Sequence, residues 1–303
     1  MESEFKMIEE ELFIYIDGKF YPKSEAKVSV YDHGLLYGDG VFEGIRAYDG
    51  VVFKLKEHID RLYTSAHTIM LDIPVSKEEM QRIVLNTLKK NKLKQAYIRL
   101  IVTRGVGDLG LDPRKCPKPS IIVITEPTFS LHSKEIKEKG ITTMITWVKR
   151  DPVDATSHEV KSLNYLNSVL AKIESNAADM DEALCLDQTG FVCEGTAENV
   201  FIVKEGKVIT PPTSTGALRG ITRTVVMTLI EKFGTPLMER NITPNELFIA
   251  DEVFLTGTAA EITPVREVNK RVIGNGKPGP ITKRLIQEFD KMLRNPKEGI
   301  LIR

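Results

Sequence analysis

Two Asp-Gly pairs set the first constraint on this chain. Asp17-Gly18 closes the strand-sized run Phe13-Ile14-Tyr15-Ile16, and Asp49-Gly50 stands directly before Val51-Val52-Phe53-Lys54-Leu55. A two-residue Asp-Gly turn takes positive φ at both positions, a geometry that feeds tight antiparallel hairpins. A chain that opens on hairpins is not laid out as a doubly wound parallel sheet, whose strands need long crossovers. The apolar runs between turns stay short. Ile121-Ile122-Val123-Ile124 is typical, far below the roughly 18 apolar residues of a membrane helix.

Helical periodicity alternates with these strands. A helix fits residues 56–70, with Ile59, Leu62, Ala66 and Ile69 on one side. A second begins after Ser76, with Glu79 at the capping-box spacing. Strands are expected at 96–103 and 120–125, separated by a turn-rich loop over 104–119. The polar stretch 126–140 reads as a connection between domains. Beyond it come a strand at 142–148 and a helix at 160–178 with Leu163, Leu166, Val169, Leu170 and Ile173 on one side. Strands at 182–186, 200–203 and 208–210 follow, then a helix at 222–233 stopped by Gly234. A strand at 252–256 leads into Gly257-Thr258-Ala259, and a last helix covers 281–293 with Pro280 at its start. The expected class is α+β, with a small domain at 1–125, a linker at 126–140 and a larger domain at 141–303.

Composition narrows the partners. The 303 residues suffice for two domains of about 150 residues each. Lys plus Arg and Asp plus Glu both number 42, so no general attraction to nucleic acid or an anionic membrane is expected. The three cysteines, Cys116, Cys185 and Cys193, form an odd set without C-x-x-C spacing. No disulfide framework or zinc site is expected, and the chain reads as cytoplasmic. The five histidines show no metal-ligand spacing. The acidic start Met1-Glu2-Ser3-Glu4-Phe5 lacks the apolar core of a secretory leader.

Two G-x-G-x-x-G matches, at 105–110 and 274–279, are not dinucleotide sites. The first runs into the turn Leu111-Asp112-Pro113, and too little chain follows the second for a returning strand. Anion chemistry has better candidates. Leu218-Arg219-Gly220-Ile221-Thr222-Arg223 enters an amphipathic helix. Gly220 permits close backbone approach there, Thr222 offers a cap, and the free N–H groups of a helix start attract anions. Gly257-Thr258-Ala259-Ala260-Glu261 places small residues directly after a strand. Each alone is ordinary turn chemistry; together they suggest a phosphorylated ligand.

The segment Glu194-Gly195-Thr196-Ala197-Glu198-Asn199-Val200-Phe201 lies upstream of Val208-Ile209-Thr210 and of 218–223. This long gapped pattern resembles the signature of class IV aminotransferases. Tyr37 to Arg46 resembles the family's N-terminal motif, Glu57 to Leu62 its phosphate-arginine helix, and Lys161-Ser162-Leu163-Asn164-Tyr165 its cofactor-lysine segment. Asp251 to Thr258 resembles its second phosphate turn, so the likeness covers nearly the whole chain. Val41 to Arg46 and Tyr97-Ile98-Arg99 look most like the branched-chain amino-acid aminotransferases within it.

The resemblance implies a two-domain fold type IV pyridoxal 5'-phosphate enzyme, like D-amino-acid aminotransferase in fold. A small N-terminal α/β domain would accompany a larger domain with a β-barrel-like core. It implies Lys161 as the Schiff-base lysine, Glu194 facing the pyridine nitrogen, Tyr165 at the ring hydroxyl and Leu218 on the ring face. Arg61, Gly220, Ile221, Thr222 and Thr258 would hold the phosphate. Tyr37, Phe42, Gly44, Tyr97, Arg99, Leu109, Leu111, Thr258 and Ala259 would form the substrate pocket. Arg99 is the candidate for the distal carboxylate of 2-oxoglutarate, since a guanidinium clamps a carboxylate with two bonds. The implied substrates are L-leucine, L-isoleucine, L-valine and 2-oxoglutarate. The implied assembly is a homodimer, or a larger oligomer built from dimers, with the loop 104–113 reaching a neighbouring subunit's pocket. A D-amino-acid aminotransferase would carry an Arg-x-His trap where Gly107-Asp108-Leu109-Gly110-Leu111 stands. An aminodeoxychorismate lyase matches less well at 97–99. A non-enzymatic binding protein of this fold is the remaining alternative.

Overall fold

The computed structural model describes residues 12–127 and 134–302. The N-terminal residues 1–5, His132 and the middle of the expected linker, 128–133, lie outside them. The chain divides into two compact units. The first comprises Met1–Phe129, Val160–Asn164 and Leu293–Arg303; the second comprises Ser130–Glu159 and Tyr165–Met292.

Both Asp-Gly pairs make hairpins in the first unit. Strands β1 (Phe13–Ile16) and β2 (Lys19–Pro22) pair with Ile16 opposite Lys19. Asp17 and Gly18 sit at φ 48° and 93°. Asp49 and Gly50, at φ 49° and 87°, join β3 (Gly40–Tyr48) to β4 (Val51–Phe53). With β5 (Ala96–Thr103), β6 (Ser120–Glu126) and the C-terminal strand Gly299–Leu301 they form a seven-stranded antiparallel sheet. Its order is C-terminal strand–β4–β3–β5–β6–β1–β2.

A short helix α1 (His33–Tyr37), capped by the Asp32 carboxylate, precedes β3. Helices α2 (Leu55–Thr68) and α3 (Lys77–Lys90) cover one sheet face. Helix α2 stops two residues short of the expected end because Met70 turns to φ 51°. Ser76 caps α3 by accepting from the Glu79 N–H at 3.2 Å, while the Glu79 carboxylate turns away to Arg82. Ile59, Leu62, Ala66, Met80, Val84 and Leu88 meet Val41, Ile45, Ile98, Leu100 and Val123 in a closed apolar core. Strand alternation sends Phe42, Gly44, Tyr97 and Arg99 to the opposite face.

The segment 160–165 departs from expectation. Its apolar spacing continues that of the following helix, yet helix α5 covers only Leu166–Ala177. Residues 160–164 instead run extended beside β3: Lys161 O accepts from Phe42 N–H at 3.0 Å and Leu163 N–H donates to Gly40 O at 3.0 Å. Backbone pairing there outweighs helical periodicity.

In the second unit a short helix α4 (Lys134–Lys139) precedes β7 (Ile141–Ile145), and α5 follows. Then come β8 (Glu182–Leu186), β9 (Val192–Gly195), β10 (Asn199–Lys204) and β11 (Lys207–Thr210). Helix α6 (Ile221–Lys232), β12 (Leu237–Glu239) and α7 (Pro244–Phe248) lead to β13 (Glu252–Gly257) and β14 (Glu261–Val268). The order β10–β13–β14–β7–β8–β9 closes through the pair Asn199–Glu194, making a six-stranded barrel. Every one of those strands contributes to one apolar cluster: Ile141, Leu184, Val192, Val200, Ile202, Val253, Leu255 and Val265.

Helix α5 is laid on this barrel with its polarity reversed. It buries Ser168, Ala171 and Ser175 toward β8, where small side chains allow close approach. Leu166, Val169, Leu170 and Ile173 face outward. The periodicity read from the sequence is present, but the apolar side is not the one packed against its own unit. Among the described residues no helix is long and apolar enough to cross a membrane.

Candidate active site

The first unit gathers several of the expected residues on the sheet face away from its core. Lys161 is tied at its backbone to Phe42, as above, and to Ser65, whose Oγ accepts from Lys161 N–H at 3.1 Å. Its Nζ lies 4.4 Å from the centroid of the Phe42 ring. The Arg99 guanidinium stands 4.6 Å from the same centroid and donates to Tyr97 Oη at 3.0 Å. Gly44 leaves room for the Tyr97 hydroxyl, which a Cβ there would displace. One amine, one aromatic face and one guanidinium therefore converge. At the end of α1, Tyr37 Oη donates to Leu109 O at 2.6 Å and so anchors the 104–119 loop. Leu109 and Leu111 themselves are exposed.

Arg61 lies on the core side of β3. Its Nε and Nη2 donate to Glu43 Oε1 and Oε2 at 2.7 and 2.8 Å, a two-bond clamp. His58 Nδ1 approaches Glu43 Oε2 at 2.7 Å. Burial alone would raise the Glu43 pKa, but the Arg61 guanidinium, aided by His58, holds it down at about 2. Burial lowers the His58 pKa against the pull of Glu43, so His58 is neutral and donates from Nδ1. Glu43 sits inside the quoted 37–46 motif, yet nothing in the sequence assigned it a role; a charged residue amid strand apolars was the available signal.

The second unit holds another group. Glu194 is buried, and its Oε2 accepts from Leu218 N–H at 3.0 Å and Asn199 Nδ2 at 3.2 Å. Arg150 Nε lies 3.3 Å from Glu194 Oε1, an ion pair without the alignment of a hydrogen bond. Arg150 is fully buried and also donates to Asn167, Ser168 and the Gly195 carbonyl. Burial would lower its pKa, and the Glu194 carboxylate reverses that and raises it. An arginine in a polar loop carries no sequence signal for such a role, and sequence reasoning missed it.

Helix α6 starts one residue before expectation. Gly220 is its N-cap and no side chain caps it, so Thr222 lies buried in the first turn instead of capping. A Cβ on Gly220 would collide with Asn199 Oδ1. Asn199 Nδ2 donates to Leu218 O at 2.8 Å and so fixes the approach to the helix. Thr258 and Ala259 form the turn between β13 and β14, where Gly257 pairs with Glu261. Tyr165 directly precedes α5, its ring 6.2 Å from that of His158. The Cys185 and Cys193 thiols are both pushed up by burial, Cys185 to about 11, which leaves them unreactive. Among the described residues no His, Cys, Asp and Glu cluster is placed to hold a metal.

Residues 40–268 match the family model described as amino-transferase class IV. The chain belongs to the class IV aminotransferase family. It is 59% identical over 276 residues to a putative branched-chain-amino-acid aminotransferase of Methanocaldococcus jannaschii, covering 91% of this chain and 94% of that one. It is 37% identical over 282 residues to the branched-chain-amino-acid aminotransferase of Escherichia coli, covering 91% of each. Among solved structures, the E. coli branched-chain amino acid aminotransferase superposes with TM-score 0.91 at 36% identity, over 93% of this chain and 95% of that chain. The T.th. branched-chain amino acid aminotransferase with pyridoxamine 5'-phosphate gives 0.92 at 35% identity, over 97% of this chain and 99% of that chain. The barrel of the second unit and the antiparallel sheet of the first are thus a family architecture, and the α+β class expected from the hairpins holds.

Proposed function

We propose that this class IV aminotransferase is a branched-chain amino-acid aminotransferase. It moves the amino group of L-leucine, L-isoleucine or L-valine to 2-oxoglutarate, releasing the branched 2-oxo acid and L-glutamate. The observation that carries this reading is the Phe42 ring, flanked by the Lys161 amine and the Arg99 guanidinium. Such a site needs an amine for the transfer, an apolar face for a branched side chain and a cation for the second substrate's distal carboxylate.

The residues present fit pyridoxal 5'-phosphate. Glu194, with Arg150 and two N–H donors around it, is a buried carboxylate suited to a protonated pyridine nitrogen. The start of α6, which no side chain caps, suits a phosphate dianion. When bound, the cofactor supplies an aldehyde for the amino group and a ring that draws electrons from the substrate Cα. Lys161 Nζ would hold the cofactor aldehyde and, once the substrate amine has displaced it, would be free to accept the Cα proton. Glu194 would keep the proton on the ring nitrogen, Tyr165 would bond the ring hydroxyl and Leu218 would pack on the ring face. Arg61, the N–H groups of Ile221 and Thr222 and the Thr258 hydroxyl bind phosphate. Thr258 and Ala259 N–H groups, with Tyr97, orient the substrate carboxylate. Arg99 orients the distal carboxylate, and Tyr37, Phe42, Gly44, Leu109 and Leu111 keep the pocket apolar.

The working form in this reading is a homodimer or an assembly of dimers in the cytoplasm. The outward apolar face of α5 and the exposed Leu109 and Leu111 support a partner that is a second copy. The three free cysteines suit a reducing compartment. The deciding experiment is an amino-donor screen of the reconstituted enzyme with 2-oxoglutarate, using L-Leu, L-Ile, L-Val, D-Ala and an (R)-amine. The three branched L-donors should react. Preference for D-Ala or the amine, or no transfer from any donor, overturns the reading.

A further inference from the structure

Thr256 is buried, with 1% of its surface exposed, and its Oγ1 has no hydrogen-bond partner among the described residues. A buried hydroxyl left unpaired is costly, so each such group in a folded protein calls for a reason. The register locates this one. Thr256 stands directly opposite Asn199 in the β10–β13 pair, so both side chains leave the same face of the barrel wall. That face carries the stacked rings of Phe201 and Phe254. Helix α6 packs against β13, and Asn199 reaches up to Leu218 O and lies where a Gly220 Cβ would fall. Thr256 therefore leaves the barrel on the face against which α6 packs, beside the residue that shapes the N-cap of that helix.

We propose that Thr256 is a further phosphate-anchoring residue, its hydroxyl donating to a phosphate monoester seated at the start of α6. The inference rests on the cofactor assignment above and adds a donor from the barrel wall to the helix N–H groups. A hydroxyl that waits unpaired until a dianion arrives costs the empty protein and favours the loaded one. Two signs of effect follow from one substitution. Thr256→Val keeps the shape and removes the unpaired hydroxyl, so the cofactor-free protein should melt at the same temperature or higher. The same variant should bind pyridoxal 5'-phosphate about tenfold to a hundredfold more weakly, the loss expected for a hydrogen bond to a charged group.

The test titrates cofactor-free wild type, Thr256→Val and Thr256→Ser with pyridoxal 5'-phosphate and with pyridoxal, which lacks the phosphate. Dissociation constants come from absorbance, and melting temperatures are taken with and without ligand. The expected result is a loss confined to the phosphorylated ligand, a smaller ligand-induced rise in melting temperature for the Val variant, and recovery in Thr256→Ser. Equal affinity of wild type and Thr256→Val for the phosphorylated ligand overturns the proposal, as does an equal loss for both ligands. Failure of wild type to bind pyridoxal 5'-phosphate at all would instead overturn the cofactor assignment.

Discussion

Replacing Glu43 by Gln tests the charge cluster that fixes Arg61. Glu43 is completely buried and its pKa is held at about 2 against an ordinary 4.5. A folded-state pKa below the unfolded value contributes stability above the unfolded pKa, and that stability is lost as pH falls through the folded one. At about 1.4 kcal/mol per unit, the contribution is roughly 3 kcal/mol at neutral pH. This agrees with the ~3–5 kcal/mol cost of removing one partner from a buried ion pair. Glu43→Gln should therefore lower the melting transition of the first unit by roughly 6–12 °C. The difference from wild type should shrink as pH falls from 4.5 toward 2, because acid removes from wild type what the substitution has already removed. In wild type His58 adds to the acid sensitivity: its lowered pKa means that acid below 6.5 destabilises the fold by forcing a proton onto a buried ring. Scanning calorimetry over a pH series measures both effects. A gap below about 1 kcal/mol near neutrality, or one that stays constant on acidification, would refute the argument that Arg61 and Glu43 act as a charged pair.

Three further outcomes can be checked. Lys161→Ala should fold and lose transamination; borohydride reduction of the loaded wild type with peptide mapping should label Lys161, and label on another lysine removes it from the mechanism. Arg99→Ala should slow the half-reaction with 2-oxoglutarate by about thirtyfold, the loss of roughly 2 kcal/mol from a charge-assisted pair, and spare the half-reaction with L-Leu; equal losses in single-turnover kinetics would contradict the role. Val169→Asp with Ile173→Asp on the outward face of α5 should yield a folded monomer by light scattering, since surface changes seldom cost more than about 0.5 kcal/mol in folding. An unchanged assembly would show that this face is not the contact between copies.

Local chemistry made much of the fold legible. Positive φ at Asp17, Gly18, Asp49 and Gly50 follows from residue type alone, and Ser76 caps its helix for the same reason. Tertiary competition hid the rest. Residues 160–164 share the periodicity of α5, but edge pairing of 161–163 with β3 captures their backbone, and no one-dimensional pattern reports a vacant strand edge. The reversed packing of α5 was hidden because periodicity identifies an apolar face without saying what covers it. The return of residues 299–301 to β4 is a contact of high sequence separation and equally silent. In the candidate site, family motifs pointed to residues such as Lys161, Glu194 and Gly220. Their supports, Glu43, Arg150 and Asn199, emerge only when strands and helices bring them together.

Those supports share a logic. Each unit pairs an arginine with a buried carboxylate: Arg61, partly buried, with Glu43, and Arg150, fully buried, with Glu194. Neither pair is an efficient way to stabilise a fold, since burying two charges costs several kcal/mol per ion and well-packed apolar residues commonly do as well or better. The pairs do supply fixed direction. Glu43 takes two guanidinium bonds from Arg61, which sets the plane of the arginine. Glu194 takes two N–H bonds on Oε2 and faces Arg150 through Oε1, which sets the plane of the carboxylate. Groups oriented before a charged ligand arrives need no reorganisation when it binds, and this is where electrostatic assistance in a buried site is largest. One member of each pair, Arg61 and Glu194, is a residue that the family resemblance assigns to the cofactor. Under the proposed function that fixed direction offsets the cost of desolvation, and each unit builds its pair from its own elements.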